Sequence, residues 1–253
     1  MRAEVELFAH RTSPLHRWDA RWKIVSLAAL TGACVSLQQV SVAALGAVFA
    51  VGLLMFGRLP TRVLMTRLAA AQVLLLPCLL VLPFTFRADP WQLGPVTVSG
   101  EGFRVAALLY LRALAALALA MAVVYSTPMV TLLRALQTLR LPRLLVEISL
   151  LTYRYLFSLW WELTRMRWAL ATRGFGAPAA QARIRPLASV IGVSLVRSVE
   201  RTERIHQAMR CRGFAGRLHT LQRFATRPAD WIKACACAVV IVGLLWLDRG
   251  GTS

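Results

Sequence analysis

Lysine is almost missing from this chain: Lys23 and Lys233 are the only two, so nearly all of the positive charge is arginine. Acidic residues are scarce too, 11 against 30 basic ones, which leaves a formal charge of +19 on 253 residues. The acids are scattered. No pair of carboxylates is placed for general acid and base work, and no array of acids in an apolar run suggests a proton or cation relay. Conduction by this chain alone is therefore not expected. The five cysteines, Cys34, Cys78, Cys211, Cys235 and Cys237, are odd in number and four lie in apolar segments. They read as small buried hydrophobes, not as a disulfide framework or a metal site. His10 and His16 have no further organised ligand set beside them. There is no phosphate-cradling Gly-rich loop ending in Lys-Ser/Thr, no dinucleotide fingerprint, no His-Glu-x-x-His and no cysteine pair at zinc spacing. The chain is thus expected to be non-catalytic, with no cofactor or metal of its own. A cleaved signal peptide is not expected either, because the first 23 residues are polar and mixed.

What the chain has instead is hydrocarbon: 58% of its residues are apolar and its mean hydropathy is +0.59. That composition, with several nearly uncharged runs, defines a polytopic membrane protein rather than a soluble domain. The basic balance raises the question of nucleic acid. The arginines, however, alternate with long apolar segments and form no soluble basic patch, so nucleic acid is not an expected partner. Arginine's fork suits protein carboxylates and lipid phosphates alike, which keeps protein partners and membrane lipid in view.

The predicted fold is all-α, with about five transmembrane helices and a cytoplasmic module of long amphipathic helices. Residues 1–23 form a cytoplasmic lead-in, with Pro14 early in a short interfacial helix and Trp18 and Trp22 at headgroup level. Residues 24–127 hold four crossings: about 22–38 and 40–57 on either side of Gln38-Gln39, then 64–84, kinked by Pro77, then 104–126. Arg112 in the fourth is costly in lipid and is expected inside the protein or snorkelling outward. The near-neutral loop 85–103 has room for a small turn or hairpin. Ser126 or Thr127 is expected to cap the next helix, with Pro128 at its first position.

Between 128 and 230 the character changes: 17 arginines face five acidic residues, a net of +12, which the positive-inside rule places in the cytoplasm. Helices are expected at about 129–139, 143–172 and 187–212, with Pro178 and Pro186 framing a break. Glu200 can pair on the helix face with Arg204 or Arg197. Residues 231–253 contain a last crossing, about 231–247, and a tail. The protein is therefore expected in the inner membrane of a bacterial or archaeal cell, multi-pass, with a cytoplasmic N-terminus.

Two short sites of one kind lie in the basic region: Ala171-Thr172-Arg173-Gly174-Phe175-Gly176 and Arg210-Cys211-Arg212-Gly213-Phe214-Ala215-Gly216. Each ends a helical pattern in an arginine beside a glycine. Such a glycine is read as a left-handed helix C-terminus, and the arginine there faces the negative end of the helix dipole. Taken locally, both remain open to the plainer reading of C-caps with snorkelling arginines.

The run Ser194-Leu195-Val196-Arg197-Ser198-Val199-Glu200-Arg201, continuing through Ala208-Met209-Arg210-Cys211-Arg212-Gly213-Phe214-Ala215-Gly216, resembles the transmembrane T component of energy-coupling factor (ECF) transporters. The likeness is strongest to the cobalt-transport branch, CbiQ. It extends to Ser13-Pro14-Leu15-His16-Arg17-Trp18-Asp19, Ser99-Gly100-Glu101-Gly102, Thr127-Pro128 with Leu141-Pro142, and Tyr153-Arg154-Tyr155, and covers about 13–216. The resemblance implies that Arg173 with Gly174 and Arg212 with Gly213 end long coupling helices and engage two ABC-type ATPase subunits. Ala171, Phe175, Arg210, Phe214 and Gly216 support them. Thr172 and Cys211 stand where the family usually has alanine. It further implies a separate substrate-binding membrane subunit, allows a small accessory membrane subunit, and leaves ATP and magnesium to the ATPases. Cobalt is the implied cargo, with nickel or a vitamin as alternatives. A stand-alone permease and a polybasic lipid-binding membrane protein are the competing classes.

Overall fold

The computed structural model describes residues 18–57, 61–85, 90–93, 96–172, 180–216 and 228–250. In chain order the elements are α1 (Ala20–Ser36), α2 (Val40–Phe56), α3 (Thr61–Thr85), β1 (Pro90–Leu93), β2 (Val96–Ser99), α4 (Gly100–Ser126), α5 (Met129–Thr138), α6 (Arg143–Thr172), α7 (Ala180–Cys211) and α8 (Pro228–Gly250). The fold is all-α apart from the antiparallel hairpin β1–β2, in register Pro90 to Ser99 and Leu93 to Val96, which occupies the loop where a turn or hairpin was expected. Among the described residues two helices, α4 and α8, are long and apolar enough to cross a membrane, and α3 is a third if its two bent halves count as one span. The 45° bend falls between Leu64–Ala70 and Leu75–Leu82. Pro77 explains it: without an N–H it leaves the carbonyl of Val73 unbonded in the helix ladder.

The chain divides into two compact units, one of Met1–Arg140 with Phe224–Ser253 and one of Leu141–Arg223. In the first, α2 lies against α4, α1 against α4 and α8, and α3 against α4. The interfaces are made of small residues. Ala43, Ala47 and Ala50 recur on one stripe of α2, as do Ala115, Ala118 and Ala122 on α4, and all six are buried. Small side chains let helix backbones approach closely, which is what drives association where lipid removes the hydrophobic difference. Gly46 continues the stripe. A Cβ there would stand 3.4 Å from both Cys34 Sγ and Leu37 Cδ1 and 3.9 Å from Leu244 Cδ1, so a methyl group at this position would be in contact with residues beside α1 and α8.

Two polar layers bracket this apolar core. At one end Lys23, 1% exposed, donates from Nζ to the carbonyl (3.4 Å) and hydroxyl (3.2 Å) of Ser126 and to the Thr127 hydroxyl (3.1 Å). Beside it the Asp19 amide donates to Asp230 (3.3 Å), the Asp19 carboxylate accepts from the Arg21 amide, and the rings of Trp22 and Trp231 lie 4.4 Å apart. At the other end the Asp248 carboxylate accepts the backbone N–H groups of Gln38 and Gln39 at 2.9 Å, and the Arg112 guanidinium donates to the Leu37 carbonyl. Backbone groups freed at the α1–α2 turn thus find partners inside the protein.

Three expectations are corrected here. Ser126 and Thr127 do not cap α5, whose N-cap is Pro128 without a side-chain bond. Their hydroxyls accept from Lys23, a charged donor that outcompetes a cap. Trp18 is buried in the core instead of facing headgroups, because its ring packs beside residues of α2 and α8. The second long helix begins at Ala180, not 187, so Pro186 lies within it. The stretch 13–17 lies outside the described residues.

α5 ends as expected: Leu139 bonds back to Ala135 and Leu136, Arg140 turns to φ 71°, and Leu141 precedes a proline that disfavours helix.

Candidate coupling site

The unit Leu141–Arg223 is built on α6 and α7, helices of 30 and 32 residues. At 1.5 Å per residue each runs for about 45 Å. Their sequences alternate apolar and charged positions, and large apolar side chains stay uncovered: Trp160, Trp161 and Trp168 on α6, Ile191, Leu195 and Val199 on α7. Helices with such faces are finished only by a membrane surface or by other chains.

The two helices meet across one polar seam. Ser158 and Glu162 are four apart and share a face of α6; Ser194, Arg197 and Arg201 share a face of α7. Glu162 takes both arginines, Arg197 at 3.4 Å through one oxygen and Arg201 at 2.5 Å through the other. Arg201 also donates to the Ser158 hydroxyl at 3.0 Å, and Ser194 lies over Met166 sulfur at 3.9 Å. The Glu162 carboxylate is only 18% exposed, so solvent screens this pair less than an open surface pair. The expected partnering is half right. Glu200 pairs with Arg204 at 3.7 Å along α7, while Arg197 reaches across to Glu162. Glu162 is the residue that helix-face reasoning missed: its α6 position was legible, its partners 35 and 39 positions away were not.

α7 ends in a Schellman motif. Phe214 N–H bonds to Met209 carbonyl and Gly213 N–H to Arg210 carbonyl, both at 3.0 Å, with Gly213 at φ 78° and Gly216 at φ 76°. Arg210 and Arg212 are exposed at this end, and Phe214 is half-buried. Ala171 is exposed on the last turn of α6, where Thr172 bonds back to Ala169 at 3.0 Å. Arg173, Gly174 and Phe175 lie outside the described residues. Among the described residues no three His, Cys, Asp or Glu side chains gather as a metal site would require.

These features define a class: a multi-pass α-helical membrane protein whose second unit is built on a pair of long amphipathic helices, the second ending in exposed arginines. The chain belongs to the family described as cobalt transport protein CbiQ, whose profile matches residues 11–222. It is 34% identical over 140 residues to the cobalt transport protein CbiQ of Rhodobacter capsulatus, covering 54% of this chain and 56% of that one. It is 28% identical over 158 residues to an uncharacterized protein of Methanocaldococcus jannaschii, covering 62% and 59%. The chain thus spans somewhat more than half the length of these curated relatives.

Proposed function

We propose that this chain is the non-catalytic transmembrane coupling subunit of an ECF-type ABC importer, and that the importer takes up cobalt ions. The observation that carries the proposal is the family match across both compact units, ending just beyond the α7 terminus where Arg212 and Gly213 form an exposed arginine-bearing cap. The name of the R. capsulatus relative favours cobalt over nickel or a vitamin.

In this reading the chain crosses the inner membrane five times, with α1, α2, α3, α4 and α8, and its N-terminus is cytoplasmic. α6 and α7 lie on the cytoplasmic side, where the +12 charge of residues 128–230 belongs. Two ATPase subunits hold the helix ends through Arg173 and Arg212. When ATP draws those subunits together, the ends of α6 and α7 move with them. The paired helices pass the displacement through their uncovered apolar faces to a separate substrate-binding membrane subunit, which reorients and releases its cargo inward. The Glu162 seam lets two separate helices move as one lever.

The test is charge reversal. Arg173→Glu and Arg212→Glu should each uncouple ATP hydrolysis from cobalt uptake in the reconstituted complex, and the double variant should lose ATPase subunits on purification. If both single variants transport at the wild-type rate, the proposal is wrong. Uptake of nickel but not cobalt by the wild type would correct the cargo alone.

A further inference from the structure

The chain leaves the first unit after Arg140 and re-enters it at Phe224, so two chain links join the second unit to the first. One link begins at the elbow Ser126-Thr127-Pro128, where α4 ends and α5 starts, and runs through α5 to Leu141. The other arrives at α8, whose first residue, Pro228, follows Arg223 by five positions. Both links meet the same short stretch of chain, Asp19 to Lys23 at the start of α1.

At the elbow, three oxygens converge on one ammonium: Lys23 Nζ lies 3.4 Å from the Ser126 carbonyl, 3.2 Å from its hydroxyl and 3.1 Å from the Thr127 hydroxyl. The Ser126 carbonyl is one of those that the end of α4 leaves without a helical partner, and Pro128 brings no N–H to the turn. Ser126 and Thr127 are buried, so water cannot take the place of the ammonium. From this elbow α5 lies against α1 with Leu133 and Ala135 buried, and the elbow thereby sets its direction. At the other link, Asp230 in the first turn of α8 accepts the Asp19 amide at 3.3 Å, and the Trp231 ring packs on Trp22. The two grips share one helical turn, since the Lys23 amide donates to the Asp19 carbonyl at 3.0 Å. The polar layer at the opposite end is different: Asp248 closes the α1–α2 turn, which belongs to neither link.

We infer that the first turn of α1 is the fulcrum for both links to the second unit, with Lys23 and Asp230 as positioning residues for coupling; this rests on the coupling role proposed above. While the elbow is held, a displacement of the second unit is carried by α5 into α1. Once it is released, α5 swings and the displacement is lost in the link.

The test compares variants at the two polar layers. Lys23→Met keeps an unbranched side chain and leaves the Ser126 hydroxyl bonded to the Ala122 carbonyl. Thr127→Val removes one of the three acceptors without changing shape, and is the milder variant. In the reconstituted complex, cobalt uptake per ATP hydrolysed should fall about fivefold in Lys23→Met and in Asp230→Leu, and less in Thr127→Val, with the ATPase subunits retained at wild-type stoichiometry. Asp248→Leu should lower the melting temperature as much as Lys23→Met does, yet keep the wild-type ratio of uptake to hydrolysis. In the purified full-length chain alone, Lys23→Met should speed amide exchange across α5 about tenfold while exchange within α2 stays unchanged. A wild-type ratio in the assembled Lys23→Met complex overturns the inference. An equal loss of coupling in Asp248→Leu does so too, because stability alone would then explain both. Unchanged exchange in α5 is equally fatal. If Lys23→Met does not assemble, Thr127→Val decides, and a wild-type ratio there overturns the inference. The exchange measurement needs no transport, so its outcome is separate from that of the Arg173 and Arg212 variants, which test the coupling role itself.

Discussion

Glu162 carries the contact on which the second unit depends. One carboxylate accepts from two guanidinium groups of a different helix, and one of those donors is also tied to Ser158. A network of this kind is worth more than an isolated exposed pair, whose contribution is about 0–1 kcal/mol. In a double-mutant cycle, Glu162→Gln and Arg201→Gln should each destabilise the chain, with a coupling energy of about 1 kcal/mol between them, measured by thermal unfolding in detergent. The Arg143–Glu147 pair on α6, at 3.2 Å between residues four apart on one helix, serves as the comparison and should couple by about 0.5 kcal/mol or less. Additive effects at Glu162 and Arg201 would remove the seam as the feature that holds the helices together.

At the scale of an element, the end of α7 shows what a single glycine does. Gly213 at φ 78° lets two backbone N–H groups return to the carbonyls of Met209 and Arg210, and any side chain there meets left-handed strain. Gly213→Ala should therefore cost about 1 kcal/mol and raise amide exchange at residues 213 and 214, fraying the turn that presents Arg212. Gly192, inside α7 with open space around its Cβ position, gives the opposite sign: Gly192→Ala should stabilise the helix by roughly 0.5–1 kcal/mol.

Elements of this sort were readable in advance. The limits of α6 at Arg143 and Thr172 follow from Leu141-Pro142 before it and an apolar period within it. The C-terminus of α7 follows from its glycine. What could not be read was whatever depends on a distant partner. Asp230 and Asp248 look like ordinary charged flanks of a last crossing, yet one accepts from Asp19 and the other caps the Gln38-Gln39 turn, 211 and 210 positions away. Lys23 looked like the end of a polar lead-in and is instead the most deeply buried charge described. Local periodicity carries no information about such pairs, because nothing in a helix's own pattern says which other helix it will face.

For the molecule as a whole, orientation is the property to test. The excess of arginine over acid in 128–230 favours the cytoplasm for α6 and α7, and five crossings then put the hairpin β1–β2 outside. In single-cysteine variants, a membrane-impermeant maleimide should label Gln92→Cys in intact cells and the native Cys211, exposed at the α7 end, only after permeabilisation. The reverse pattern would overturn the five-crossing reading.

The first unit is discontinuous, and this has a consequence in time. α1 and the α1–α2 turn take their partners from α8, which a ribosome produces some 210 residues later. At synthesis rates of about 5–20 residues per second, that delay is roughly 10–40 s. During it the amides of Gln38 and Gln39 and the face of Trp22 have no native partner. The early helices must therefore wait with an unfinished surface, and the final helix acts as a clasp that closes the bundle only after α6 and α7 have been made.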